Sequence, residues 1–303
     1  MNFLRYQGAR GRFHLAVETD DGVYDLAACY RQYRDLGGPH VPGIKTAFAR
    51  ASLRLLLALP SRAFLDAVRM SGAQCRAPAL LSKSLVLGAP LHDPGRFIGV
   101  GLNYREHARE VGQALPAQPP LFAKWNNAIT GPRSPVVLPQ NSAAVDYEVE
   151  LGIVIGSRAL RVAPHEALEC VFGYTIINDV SARDLQFKTS QWLAGKIADG
   201  FAPMGPAVVE KGDIPSAQGL TLETWVNGER RQHGHTSDMV YDVAALVSYL
   251  SHLIALEPGD IIASGTPAGV GMSRTPPTYL KSGDVVRMSI TGLGTLENTF
   301  RAA

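Results

Sequence analysis

The chain has 303 residues, 46% of them hydrophobic and 18% charged. That is ordinary globular material, enough for two domains or for one large domain with a small companion. A net charge of +2, with Lys and Arg scattered along the chain, gives no basic run for a polyanion or nucleic-acid partner. No apolar run approaches the roughly 20 residues that span a bilayer, and no signal-peptide pattern opens the sequence. Three well-separated cysteines, Cys29, Cys75 and Cys170, read as reduced thiols of a cytoplasmic protein.

Residues 3–26 alternate and turn like short antiparallel strands, with Asp20-Asp21-Gly22 as a hairpin signal. Phe48, Leu53, Leu56 and Leu57 predict a helix over 44–59, stopped by Pro60, and a second helix over 61–70. Breakers at Pro78, Gly88, Pro90 and Pro94 place a joint near 85–90. It divides a small N-terminal α+β domain (1–88) from a larger domain (89–303). Beyond the joint, strands are expected at 97–101, 136–138, 147–155, 171–177, 207–209, 220–226, 261–263 and 285–290. Asn227-Gly228 is a hairpin turn. Helices are expected only at 165–171 and at 243–253, where Leu246, Val247, Leu250 and Leu253 share a stripe. Without steady strand–helix alternation, neither a TIM barrel nor a Rossmann sheet is supported. The expectation is a mixed α/β fold dominated by β.

Two glycine clusters fall short of nucleotide motifs. The run Gly99-Val100-Gly101 lacks the third glycine of a dinucleotide loop, and Gly265-Thr266-Pro267-Ala268-Gly269-Val270-Gly271 lacks the Gly-Lys-Ser/Thr of a phosphate loop. Both read as tight loops that bring backbone N–H groups near a ligand.

The chemistry centres on Asp146-Tyr147-Glu148-Val149-Glu150-Leu151-Gly152-Ile153-Val154-Ile155-Gly156. In a strand Glu148 and Glu150 share one face, opposite Tyr147, Val149 and Leu151, with Cβ atoms about 6–7 Å apart. The apolar run that follows wants burial on both faces, which argues against a solvated acidic edge. Two buried like charges need a cation or a shared proton, and a hard divalent metal fits best. Asp179, at the C-terminal end of a buried strand, pairs either with Arg183, four residues on, or with that metal as a third carboxylate.

His107 and Glu110, three apart on a helical turn, share a face. The pair is either a surface contact or a carboxylate that raises the imidazole's basicity and fixes its tautomer for activating water. Lys196 is either a solvated loop lysine or a cation aimed at a substrate carboxylate or enolate, or at the metal's carboxylates. His233-Gly234-His235 could bind a metal, but after a hairpin in a polar stretch it reads as a plain loop.

Taken together, residues 97–300 resemble the fumarylacetoacetate hydrolase superfamily. The resemblance rests on Gly101-Leu102-Asn103-Tyr104-Arg105-Glu106-His107, the run 146–156, the stretch 173–186, Gly195-Lys196, the stretch 201–206, the run 256–271 and the closing 292–298. It implies a β-roll catalytic domain behind a small N-terminal domain, usually in a homodimer. It implies Mg²⁺ or Mn²⁺, sometimes Ca²⁺, on Glu148, Glu150 and Asp179, and a water-activating dyad of His107 and Glu110 on a lid. Lys196 joins the catalytic set, while Lys124, Gln186 and Thr266 match positions around the substrate. Trp125 after Lys124, where many relatives have proline, and Ser264, where threonine is usual, are departures that touch the substrate's surroundings.

The expected reaction is metal-dependent hydrolysis of a C–C bond in a 2,4-diketo acid, an acylpyruvate or fumarylpyruvate type, through an enolate whose charge the metal and Lys196 hold. Decarboxylation of oxaloacetate-like acids, or hydration and isomerisation of 2-oxo-dienoates, would use the same enolate. A non-enzymatic protein that binds metal and organic acid is a further alternative. The presence of both His107 and Glu110 favours hydrolysis.

Overall fold

The computed structural model describes residues 1–71, 79–80 and 85–303; Cys75 and Pro78 lie outside them. The fold is mixed α/β with strands dominant. Among the described residues an 11-stranded sheet forms the frame. Its N-terminal edge is the antiparallel set Gly22–Asp25, Phe13–Thr19 and Asn2–Gln7, with the expected hairpin at Asp20-Asp21. Asn2 and Phe3 pair with Val209 and Val208 of Ala202–Glu210. The sheet then runs through Val171–Asn178, Val149–Ile155, Ile261–Ala263, Phe97–Val100 and Leu121–Ala123. The N-terminal strands therefore extend the same sheet that carries the carboxylates. A second sheet of five strands orders Glu229–His235, Thr221–Val226, Val285–Ile290, Gly294–Ala302 and Val136–Leu138.

The centre of the large sheet follows from its composition. Every residue of Val149–Ile155 and of Val171–Asn178 is buried, as a near-continuous apolar run demands when both faces are covered. Gly173 is needed where the chains cross closely, because a Cβ there would lie 2.0 Å from the Val209 carbonyl oxygen. The helix Val243–Leu253 buries Val243, Leu246, Val247 and Leu250 and is capped by Asp242, which accepts from Ala245 N–H. Leu253, expected on the same stripe, is exposed at the helix end.

Several expectations are corrected. The single helix over 44–59 is two, Ile44–Ala49 and Leu53–Leu57. Between them Ala51 turns left-handed (φ 46°), and Ser52 accepts from Leu55 N–H as a new cap while its hydroxyl donates to Asp93. The helix over 165–171 is a turn, Pro164–Ala167, and a 3-10 turn, Leu168–Cys170; Val171 already belongs to the strand. The ladder of the 147–155 strand starts at Val149, and Val145–Asp146 pairs separately with Ser181–Ala182. The 207–209 strand is longer, Ala202–Glu210, and runs through Pro203 and Pro206. His233-Gly234-His235 is not a loop but the end of Glu229–His235, a strand whose polar residues suit its place at the edge of its sheet. The strand Gly294–Ala302 went unanticipated.

Candidate metal centre and active site

Register brings the carboxylates together. Val149 pairs with Asn178 and Glu150 with Ile177, and Asp179 N–H donates to Glu148 O at 2.9 Å. Asp179, just past one strand, thus faces the Glu148–Glu150 pair on its neighbour. One oxygen from each of Glu148, Glu150 and Asp179 lies within 4.8 Å of the other two, and all three residues are buried.

Cations crowd two of the three. Lys196 Nζ bridges Glu148 Oε2 at 2.7 Å and Asp179 Oδ2 at 2.6 Å, and Lys124 Nζ donates to Asp179 Oδ1 at 2.5 Å. Both lysines are buried, so Lys196 is not a solvated loop lysine. Nor does Arg183 pair with Asp179. Its guanidinium lies between Glu148 Oε1 (2.8 Å) and Asp146 Oδ2 (2.9 Å), and Nη1 donates to Gln186 Oε1 at 3.0 Å. Arg183 starts a helical turn whose N–H is tied to Ala144 O, which aims it across the strand pair instead of back along its own.

Glu150 has no ion-pair partner among the described residues; its Oε2 accepts only from Gly265 N–H, at 3.0 Å. Burial, then the charges of Asp179 and Glu148, push its carboxyl well above the ordinary range. For Glu148 burial acts in the same upward sense, but Arg183 and Lys196 outweigh it and hold that carboxyl well below the ordinary range. Burial lowers Lys124 despite Asp179, whereas Asp179 and Glu148 overcome burial to raise Lys196. Four buried carboxylates (Asp146, Glu148, Glu150, Asp179) thus face three buried cations (Lys124, Arg183, Lys196). Hard oxygen donors with one uncompensated negative charge fit a divalent cation such as Mg²⁺ or Mn²⁺.

A cavity of about 310 Å³ opens on this cluster and is lined by Glu148, Glu150, Arg183, Gln186, Lys196 and Thr266, with His107 on its wall. His107 is 7% exposed and Glu110 lies beside it, with Nδ1 3.3 Å from Glu110 Oε2. Glu110 Oε1 accepts from Gly269 N–H at 2.9 Å, so the second glycine loop orients the carboxylate. The helix Arg105–Glu110 is docked: Arg105 donates to the carbonyls of Asp238 and Met239, and Asp238 accepts from Glu106 N–H. Asn103, just before it, is held by Tyr241 and Ser264. Thr266 donates its hydroxyl to Val149 O. Lys124 stands behind Asp179 and is absent from the cavity lining.

Sequence reasoning missed three supports. Asp146 accepts from Gly271 and Met272 N–H as well as Arg183, joining the glycine loop to Glu148. Gln232 accepts from Val149 N–H and donates to Thr266 Oγ1 and Pro267 O, tying the edge strand to the carboxylate strand. Phe122 and Trp192 form an aromatic wall, with Lys196 Nζ 4.7 Å from the Phe122 ring centroid. Asp146 was visible as the acidic start of its run; no local signal marks Gln232, whose partners at the site, Val149, Thr266 and Pro267, lie 34 or more residues away.

Residues 96–301 match the family model "Fumarylacetoacetate (FAA) hydrolase C-terminal". Three solved structures are similar over the whole chain. A fumarylacetoacetate hydrolase from psychrophilic Exiguobacterium antarcticum is 37% identical with a TM-score of 0.81, covering 100% of both chains. A 5-carboxymethyl-2-hydroxymuconate delta-isomerase from Mycobacterium smegmatis is 31% identical with a TM-score of 0.73, covering 100% of this chain and 99% of its own. A maleylpyruvate hydrolase from Sphingobium sp. SYK-6, solved with manganese(II) and pyruvate, is 26% identical with a TM-score of 0.77, covering 100% of both.

Proposed function

Because the chain belongs to the fumarylacetoacetate hydrolase family, we propose that it is a metal-dependent hydrolase of the C–C bond in a 2,4-dioxo acid of the acylpyruvate type. The observation that carries this reading is that Glu148 and Glu150 of the carboxylate cluster line one cavity together with His107, with Asp179 behind the first two and Glu110 beside the third. Held by those three carboxylates, Mg²⁺ or Mn²⁺ (or Ca²⁺) would supply a Lewis acid for the substrate's neighbouring oxygens.

The chain's own groups supply the rest. Glu110 faces His107 Nδ1, which leaves Nε2 free to take a proton from water. The water oxygen bonds to the distal carbonyl carbon, and the bond from that carbon to the methylene breaks. The electron pair stays on the methylene as the enolate of pyruvate, and His107 returns the proton to that carbon. One acylpyruvate and one water thus give a carboxylic acid and pyruvate. Lys196 places positive charge beside the site as the enolate forms, and Gln186, braced by Arg183, offers its amide on the cavity wall.

The test is turnover of acylpyruvates with Mg²⁺ or Mn²⁺, comparing the native chain with Glu148→Ala. Release of pyruvate by the native chain and its loss in the variant are expected; undiminished turnover in the variant overturns the proposal. Likeness to the isomerase favours a second reading, isomerisation of a 2-oxo-dienoate. Product mass separates the two, since hydrolysis in oxygen-18 water labels the released acid and isomerisation adds nothing. The same reading takes the protein as a cytoplasmic homodimer whose residues 1–88 form the small N-terminal domain. Among the described residues no helix is long and apolar enough to cross a membrane.

A further inference from the structure

The cavity's lining divides by chemistry. Its charged part is Glu148 and Glu150 with Arg183 and Lys196; His107, Gln113, Gln186 and Thr266 add polar groups, and most of what is left is Leu102, Val111, Phe122, Phe187, Trp192 and Met272. Arg183 and Lys196 are the only Lys or Arg side chains among the described lining residues. Both are committed, Arg183 to Asp146, Glu148 and Gln186, and Lys196 to Glu148 and Asp179.

The aromatic wall is built into the backbone. Gly99 pairs across the sheet with Phe122, and a Cβ on Gly99 would lie 2.2 Å from the Phe122 ring tip. A Cβ on Gly101 would lie 2.1 Å from the Trp192 ring. The two rings therefore rest on bare backbone, with centroids 6.0 Å apart. The Gly99-Val100-Gly101 run, which fails as a nucleotide motif, makes room for this wall.

Resting on the hydrolase reading, we propose that the substrate's acyl group is an uncharged hydrocarbon, aromatic or medium-chain aliphatic, and that the site discriminates against a second carboxylate such as that of fumarylpyruvate. A hydrocarbon acyl group loses water against Phe122 and Trp192. A distal carboxylate in the same place would be stripped of water with no uncommitted Lys or Arg among the described lining residues to pair with.

Two measurements on the full-length, Mn²⁺-loaded protein test this. In the first, kcat/KM is compared for benzoylpyruvate, hexanoylpyruvate and fumarylpyruvate. The uncharged substrates should lead by about 10-fold or more, the scale at which a pocket separates substrates that differ by one buried group. Trp192→Ala should shrink the lead of benzoylpyruvate. Phe187→Arg, at a position 56% exposed and therefore tolerant, should shift the preference toward fumarylpyruvate.

In the second, calorimetry compares binding of 2-oxo-4-phenylbutanoate and 2-oxoglutarate, which share the 2-oxo acid head and differ at the far end. The phenyl compound should bind about 10-fold tighter or better. Hydrolysis of all three acylpyruvates with fumarylpyruvate equal or best overturns the inference and leaves the hydrolase reading standing. Selective binding of the phenyl compound with no acylpyruvate hydrolysed does the reverse. Equal binding of the two 2-oxo acids overturns the inference whatever the turnover.

Discussion

Replacing Glu150 by Gln in the metal-free protein probes the charge imbalance at the site directly. Glu150 is 2% exposed and has oxygens of Glu148 and Asp179 within 4.8 Å, yet no cation among the described residues is within ion-pair reach. Unit charges 4.8 Å apart repel by about 3 kcal/mol at an effective dielectric near 20. Lys196 and the Gly265 N–H offset part of that. An amide keeps the shape and can still accept from Gly265 while carrying no charge, so a net gain of about 1–3 kcal/mol is expected in EDTA at about pH 8. For a chain of this size that raises Tm by roughly 2–10 °C.

The sign with pH follows from the raised carboxyl. Below its ordinary value of 4.5 the group is protonated folded or unfolded and no penalty exists. The penalty grows as pH rises from there through the elevated folded value, so the gain from Gln should vanish near pH 4.5. With Mn²⁺ at about 100 times its Kd the native chain should gain about 2.7 kcal/mol, and the variant should lose most of that shift. Thermal melts with EDTA and with Mn²⁺ across this pH range provide the assay. A variant that melts lower than the native chain in EDTA at about pH 8 and keeps the full metal-induced shift would refute the reasoning.

Other substitutions separate the parts of the site. His107→Ala should lower acylpyruvate kcat/KM by about 10²–10⁴ while leaving the Mn²⁺-induced Tm shift intact, and unchanged turnover would remove His107 from the chemistry. Arg183→Met strips Glu148 and Asp146 of their shared cation and should cost about 3–5 kcal/mol in urea melts. Native Glu148 contributes stability above its ordinary 4.5 that is lost as pH falls through its depressed folded value, so the variant's stability should depend less on pH in that region. A variant as stable as the native chain would show that Glu148 does not depend on Arg183. Gly173→Ala drives a methyl against the Val209 carbonyl and should cost about 3 kcal/mol without altering product identity. An unchanged urea midpoint would contradict the close approach of those strands.

Much of this was legible before any coordinates, because it depends on periodicity and on the cost of burying charge. The run Leu151-Gly152-Ile153-Val154-Ile155 cannot be solvated, so Glu148 and Glu150 had to be buried with it, and buried paired carboxylates call for a cation. The helix Val243–Leu253 and the Asn227-Gly228 turn were readable for the same local reasons. What the chain could not reveal by itself is which cation meets which carboxylate. Arg183, four residues from Asp179, passes it by for Glu148 and Asp146, while Lys124 and Lys196 arrive from 55 and 17 residues away. Likewise Gln232, a polar residue in an edge strand, and the ring-on-glycine contacts of Phe122 and Trp192 exist only once distant strands are in register. Burial and metal-ligating chemistry are properties of a segment and its neighbours along the chain. Pairing, charge balance and the shape of the acyl pocket are properties of contacts between segments, and only the tertiary fold decides those.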